Sequence, residues 1–212
     1  MRLPIWVGQF NIVDGEVREE GPYTAFFPAS GGDHCDLGVV SEAVIPDSTF
    51  ICQELVASLG RHFQHWQLSV TGGLLRALQE VHSHLLNWNR HSLPEHRLAV
   101  GMSCVARREQ EAYLAQAGPS LAYWWQGGSL VRLQPEEEAT DPLGMAEGLR
   151  PTLHRCELAP GHRLLLVTST VASLSLERQL AETLSLDPQA ALAALYRLAQ
   201  PLRDSAALLI AT

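Results

Sequence analysis

Residues 111–133 read EAYLAQAGPSLAYWWQGGSLVRL, and this stretch decides the fold class. Its apolar runs are too short for helices, and turn residues separate them, so we predict strands at 112–117, Leu121–Trp125 and Leu130–Leu133. The Gly-Gly pair at 127–128 can supply the positive φ of a tight hairpin. Another strand-like run precedes the stretch at 98–106, and together these runs predict an antiparallel meander.

Two helical patterns lie upstream of this meander. Apolar residues recur every three or four positions from Ile51 to Phe63 and again from Leu74 to Trp88. This spacing predicts amphipathic helices near 49–65 and 71–90. Three shorter strand-like runs come before them, at 5–13, 23–27 and 37–45.

Downstream of the meander, strands are predicted at 152–158 and 163–168, the second with the strongest apolar run of the chain. Helices are predicted near 174–184 and 187–200, the latter with Asp187 as N-cap and Pro188 in its first turn, and a last strand at 206–211. Strands and helices therefore come in groups and do not alternate as in a doubly wound sheet. We predict an α+β fold, a four-layer α-β-β-α sandwich of two antiparallel sheets flanked by helix pairs.

Composition narrows the domain count and the function classes. The chain has 212 residues and no Pro-, Gly- or Ser-rich linker, which predicts a single domain over 1–212. All 15 basic residues are Arg, so Schiff-base lysines and lysine-dependent phosphate loops are excluded. A net charge of -8 without a basic stripe argues against nucleic-acid binding. Without an 18-residue apolar run or a secretory signal, we expect no membrane association and a cytoplasmic location.

Several short motifs resemble those of one family in order and spacing. They are GGDHCD at 31–36, GMSCVA at 101–106, the hairpin at 111–133, DPLGM at 141–145, LAPGHRLLLVTST at 158–170 and RDSAALLIA at 203–211. Over essentially the whole chain they resemble the metal-dependent 2C-type protein phosphatases, the PPM superfamily, including its bacterial stage II sporulation E branch. The resemblance implies a signalling domain that acts on phosphoproteins or binds a protein partner.

The resemblance also implies a metal centre. Family members use two divalent cations, Mn²⁺ or Mg²⁺, that share a water and lower its pKa so that hydroxide can attack phosphorus. Such cations require hard oxygen ligands, usually aspartate. The candidate ligands of this chain can therefore be checked position by position.

The ligand positions differ from the family pattern. Ser169 stands where the family has the aspartate of Thr-Asp-Gly, and Pro119 stands where it has the aspartate of Gly-Asp-Ser-Arg. Asp204 matches the aspartate of the terminal strand. The bridging aspartate corresponds to Asp47, which follows an apolar strand, or after a shift to Glu42. Asp47 and Asp204 are thus the candidate metal ligands, although a helix N-cap and a turn residue are their ordinary structural explanations.

Loss of a carboxylate leaves a pair of dications poorly compensated, so we expect no metal cofactor, or weakly bound Mn²⁺ or Mg²⁺. Three function classes follow from this. The first is a pseudophosphatase that binds or regulates a protein partner, the second a weakly active serine/threonine phosphatase, and the third a structural or small-molecule-binding domain. Ser169 favours the first class over the second.

Overall fold

Two antiparallel sheets form the centre of the molecule in a computed structural model. The structure describes residues 3–18, 20–29, 35–45, 48–64, 69–133, 141–174 and 176–212. Asp47 lies outside these described residues.

The first sheet has five strands in the order β3-β4-β5-β6-β9. Their bounds are Thr24–Phe27 for β3, Asp36–Ala43 for β4, Val100–Arg108 for β5, Glu111–Ala117 for β6 and Thr152–Glu157 for β9. β4 pairs with β5 over its full length, from Asp36 opposite Arg107 to Ala43 opposite Val100. This pairing places the end of β4 beside the start of β5.

The second sheet has six strands in the order β2-β1-β11-β10-β7-β8. Their bounds are Trp6–Val13 for β1, Glu16–Arg18 for β2, Leu121–Trp125 for β7, Leu130–Leu133 for β8, Arg163–Val167 for β10 and Ser205–Ala211 for β11. The pairs β1–β11 and β10–β11 are antiparallel. The ends of β1 and β10 therefore meet the start of β11 at one edge.

Helices cover the outer face of each sheet. α1 (Thr49–Gln64) and α2 (Val70–Arg90) pack on the first sheet, and α5 (Pro188–Ala199) packs on the second and against α4 (Glu177–Ser185). The short helix α3 (Ser169–Ser173) follows β10 and contacts β11. Asp187 caps α5, since its carboxylate accepts the N–H groups of Gln189 and Ala190.

Three apolar clusters fill the spaces between these layers. One lies between the first sheet and α1 and α2, another between the second sheet and α4 and α5, and the third between the two sheets. The order is therefore helix, sheet, sheet, helix, which confirms the predicted four-layer α-β-β-α sandwich. The predicted helices at 49–65, 71–90 and 187–200 are present within a residue of their bounds, and that at 174–184 begins at Glu177.

The predicted meander is wrong in its connectivity. β5 and β6 pair in the first sheet, whereas β7 and β8 pair in the second. Between them Gly118, with φ of +77°, turns the chain from one sheet to the other. A side chain there would meet the backbone of Gly101 at 2.9 Å, so the crossing requires glycine. β6 and β7 consequently pair with β9 and β10.

Candidate active-site cleft

A cleft of about 620 Å³ opens at the edge where these strand ends meet. Its lining comes from the end of β4, the start of α1, the turn after β1, the residue before β3, the segment after β10 and the segment that leads into β11. The lining residues are Asp14, Tyr23, Glu42, Ala43, Val44, Thr49, Thr168, Thr170, Arg203, Asp204 and Ser205. Both sheets thus contribute polar side chains to one concave site, which is the default candidate for a functional site.

Glu42 and Ser169 join the two sheets at this cleft. Glu42 is near the end of β4, and Ser169 begins α3 directly after β10. The Glu42 Oε2 accepts hydrogen bonds from the Ser169 N–H at 2.9 Å and from the Ser169 Oγ at 2.7 Å. The serine that stands at the predicted aspartate position is therefore bonded to a carboxyl group from the opposite sheet.

Burial dominates the electrostatics of Glu42. The residue is only 7% exposed, and its Oε1 has no hydrogen-bond partner among the described residues. Burial raises the pKa of this carboxyl group, and the two hydrogen bonds from Ser169 offset only part of that rise. The structure thus favours the neutral form of Glu42 more than water would.

Asp204 lies opposite, in the segment that leads into β11. Its Oδ1 accepts the Tyr23 hydroxyl at 2.9 Å and the backbone N–H of Asp14 at 3.2 Å. The Arg203 Nε is 3.8 Å from the Asp204 Oδ2 and also bonds Asp14. Burial, together with the negative charge of Asp204, raises the pKa of Tyr23, so this hydroxyl remains a proton donor. The Oδ1 of Asp204 therefore already accepts two hydrogen bonds, from Tyr23 and Asp14.

The Thr168-Ser169-Thr170 segment is fixed by bonds to its neighbours. The Thr168 Oγ1 accepts the N–H of Ala206 at 3.2 Å and lies 2.9 Å from the Thr170 Oγ1. The Thr170 Oγ1 also donates to the Asp204 carbonyl at 3.3 Å. Three hydroxyl side chains in succession thus serve as structural partners where the family pattern has a carboxylate.

Cys52 on α1 is a thiol close enough to Glu42 and Asp204 to interact with their charges. Burial, with smaller contributions from the charges of Glu42 and Asp204, raises the pKa of its thiol to about 12. Its Sγ donates to the Ser48 carbonyl at 3.4 Å. The thiol stays protonated at neutral pH, which argues against a thiolate nucleophile.

These donors do not fit a pair of Mn²⁺ or Mg²⁺ ions. Ser169 is neutral, Glu42 favours its neutral form, and Asp204 has one oxygen engaged by Tyr23. In the part of the chain that the structure describes, no group of three or more His, Cys, Asp or Glu side chains is arranged to hold a metal. Dications prefer several anionic oxygens, and the described residues of this site present too few for two such ions.

The structure brings together some of the candidate residues from the sequence. Glu42, the alternative to Asp47, contacts Ser169 and lines the same cleft as Asp204. Asp47 itself, outside the described residues, stays a prediction. Sequence reasoning missed Tyr23, since a tyrosine at the start of a strand gives no signal of a bond to a carboxylate 181 residues away.

Comparisons with solved structures identify the fold class of the chain. The chain matches no family model and no curated protein. Solved structures match it over nearly their whole length. A serine/threonine phosphatase from S. agalactiae has a TM-score of 0.83 at 15% identity, covering 99% of this chain and 100% of that one. PppA, a key regulatory component of T6SS in Pseudomonas aeruginosa, has a TM-score of 0.75 at 18% sequence identity. The match covers 99% of this chain and 98% of PppA.

The catalytic domain of the phosphatase PstP, solved with two manganese ions, has a TM-score of 0.75 at 14% identity and covers 98% of this chain and 97% of that one. At these identities the likeness is one of fold. The chain has the fold of the PPM-type, or 2C-type, serine/threonine phosphatases, as its sequence motifs predict. No helix among the described residues is long and apolar enough to cross a membrane.

Proposed function

We propose that this chain is a pseudophosphatase, a domain with the 2C-type fold that regulates or binds a protein partner without hydrolysing phosphate esters. The observation that carries this proposal is the pair of hydrogen bonds from Ser169 to Glu42. Ser169 has a hydroxyl where the family pattern has a ligand carboxylate. The hydroxyl and the backbone N–H of Ser169 both donate to the Glu42 carboxyl group, which lines the cleft.

The consequence for catalysis follows from charge. Metal-dependent hydrolysis needs cations that activate water and neutralise the phosphate. Ser169 is neutral where the family pattern has an aspartate, and burial raises the pKa of Glu42, which disfavours its charged form. A phosphate ester would then face the Asp204 carboxylate without a metal ion between them, which disfavours its binding.

The remaining parts of the proposal concern cellular role. The fold without the metal chemistry suits a regulatory domain, and PppA, a regulatory component in its own system, shares this fold. We place the chain in bacterial signalling, as a single cytoplasmic domain that acts through a protein partner. The surface around the cleft would recognise this partner without catalysing a reaction on it.

A second candidate function is a weakly active Mn²⁺- or Mg²⁺-dependent serine/threonine phosphatase. The observation that favours it is that Glu42 and Asp204 line one cleft, so that two carboxyl groups approach the same space. Ionised, they could hold a single weakly bound cation.

One experiment separates the two functions. The purified chain is assayed against p-nitrophenyl phosphate and a phosphoserine peptide with millimolar Mn²⁺ or Mg²⁺, and we expect no turnover above a heat-denatured sample. Turnover that EDTA abolishes, that Asp204→Ala removes and that the exposed control Asp141→Ala keeps would establish the second function and overturn the first.

A further inference from the structure

An apolar groove adjoins the cleft. Its volume is about 630 Å³, and it is lined by Thr49, Phe50, Trp88, Ser92, His96 and Leu98. Phe50 on α1 is 63% exposed and Trp88 on α2 is 46% exposed. Two large aromatic side chains facing solvent side by side are uncommon on a protein that has no partner. Thr49 lines both the groove and the cleft, so the two form one continuous surface.

The cleft beside this groove carries an excess of carboxyl groups. Asp14, Glu42 and Asp204 line it, and Arg203 is the only basic residue among the described lining residues. Arg203 makes its close contacts with Asp14, at 2.8 and 3.1 Å, and lies 3.8 Å from Asp204. The Oδ2 of Asp204, half-buried and facing the cleft, therefore retains capacity to accept a cationic donor.

Two buried polar atoms at the same site lack partners. The Glu42 Oε1 and the Ser205 Oγ make no hydrogen bond to any described residue, in side chains that are 7% and 1% exposed. Both residues line the cleft. Both atoms are themselves shielded from solvent, so they make the floor of the cleft polar, whereas the Asp204 side chain, 37% exposed, is the acceptor open to a ligand.

A group with several N–H donors and a positive charge suits the accessible carboxylate of Asp204. A guanidinium offers five donors in a planar fork, and an ammonium offers three. An anion such as a phosphate group would instead meet Asp204 with like charge. An apolar side chain a few residues from that cationic group in the same ligand chain would cover Phe50 and Trp88.

We propose that the cleft and the adjoining groove together bind an extended segment of a partner protein, with an arginine or lysine side chain against Asp204 and an apolar side chain between Phe50 and Trp88. The inference rests on the proposed pseudophosphatase function, because it places a partner's cation where an active relative would hold metal. The partner is thus defined by its chemistry, a basic residue close to a bulky apolar one.

The probe is a display library of random peptides selected on the purified full chain. We expect the selected peptides to carry Arg or Lys near Leu, Phe or Trp. Synthetic versions, measured by fluorescence anisotropy, should lose about tenfold or more in affinity with Asp204→Asn, with Phe50→Ala and with Trp88→Ala. Val131→Ala is the matched control, since Val131 is an exposed apolar residue on β8, outside both the groove and the cleft. Binding should also weaken as salt screens the ion pair.

Asp204→Asn keeps an oxygen that can accept the Tyr23 hydroxyl, and thermal unfolding of each variant confirms that it is folded. Selected peptides that lack basic residues, that carry phosphoserine or acidic residues in follow-up arrays, or that bind Asp204→Asn as well as the unchanged chain would overturn the inference. The proposed function falls by a different result, metal-dependent turnover in the phosphatase assay. The two failures are therefore distinguishable.

Discussion

Glu42 and Ser169 lie 127 residues apart in the chain, yet the Ser169 hydroxyl donates to the Glu42 carboxyl group at 2.7 Å and its N–H donates to the same oxygen. The contact spans the two sheets, because Glu42 belongs to β4 and Ser169 follows β10. It joins an uncharged serine to a carboxyl group whose pKa burial raises, and variants at the two positions test both properties.

Ser169→Asp should create a metal dependence that the unchanged chain lacks. The new carboxylate would face Glu42 at close range and share the cleft edge with Asp204, so it should destabilise the fold in EDTA and be rescued by Mn²⁺. Metal at 100 times its dissociation constant would add about 2.7 kcal/mol of stability. Thermal unfolding with EDTA and with Mn²⁺ measures this.

Ser169→Asn serves as the matched control, because it has similar size and no charge. An equal, metal-independent melting temperature for Ser169→Asp and Ser169→Asn would show that Glu42 and Asp204 do not converge on position 169.

The stability of the Glu42→Gln variant, compared with that of the unchanged chain, should increase as pH rises. Burial raises the folded pKa of Glu42 above the ordinary value of 4.5 for glutamate, so the native state holds this proton more tightly than the unfolded chain does. That contribution to stability is fully present below the unfolded pKa and is lost as pH rises through the folded pKa. Glutamine cannot ionise and can still accept the Ser169 bonds.

We therefore expect the difference in melting temperature between Glu42→Gln and the unchanged chain to become more positive from pH 4.5 to pH 7. Glu16→Gln, at an exposed position of β2, is the control variant for the loss of one carboxyl group. A difference that is constant with pH would mean that Glu42 is ionised in the native state like an exposed carboxylate.

Tyr23→Phe tests the anchor of Asp204. The change removes the hydroxyl that donates to the Asp204 Oδ1 at 2.9 Å while the buried ring stays in place. Loss of a hydrogen bond to a charged group should lower the free energy of unfolding by about 1 to 2 kcal/mol in urea titrations. Tyr113→Phe is the control, since its hydroxyl also donates to a carboxylate, that of Glu111, and neither residue lines the cleft. Equal losses in both variants would contradict a special role for the Tyr23 bond.

Leu165→Ala tests the central position of β10. Leu165 is fully buried in a strand that lies between β11 and β7. Truncation should reduce the free energy of unfolding by about 2 to 5 kcal/mol, whereas Val131→Ala on the edge strand β8 should change it by less than about 0.5 kcal/mol. Denaturant unfolding of the two variants gives the comparison, and a loss below about 1 kcal/mol for Leu165→Ala would contradict the burial of this strand.

The periodic elements could be predicted from the sequence because each depends on its own residues. The helices α1, α2 and α5 carry apolar residues at spacings of three and four, and β10 is an uninterrupted apolar run. The short helix α3 was missed, since five residues with three hydroxyl side chains carry no helical period. The crossing at Gly118 was also missed, because a Gly-Pro turn between two strands has the same local pattern whether or not they pair.

The site was predicted only in part, for a similar reason. The departure at Ser169 is visible in the motif itself, and Asp204 directly precedes an apolar strand. The choice between Asp47 and Glu42 is not local, since the partner of Glu42 is a residue on the other sheet. Likewise, the bond from Tyr23 to Asp204 exists only after β3 and β11 have come together.

The placement of β11 between β1 and β10 constrains when the protein can fold. Trp6 pairs with Ala211, so the earliest strand of the second sheet has its neighbour in the latest. Until β11 has left the ribosome, β1 and β10 each present an unpaired edge and the apolar layer between the sheets cannot close. The nascent chain therefore depends on rapid closure once β11 is available, and a stop codon or frameshift just before Ser205 should yield an aggregating product rather than a smaller folded domain.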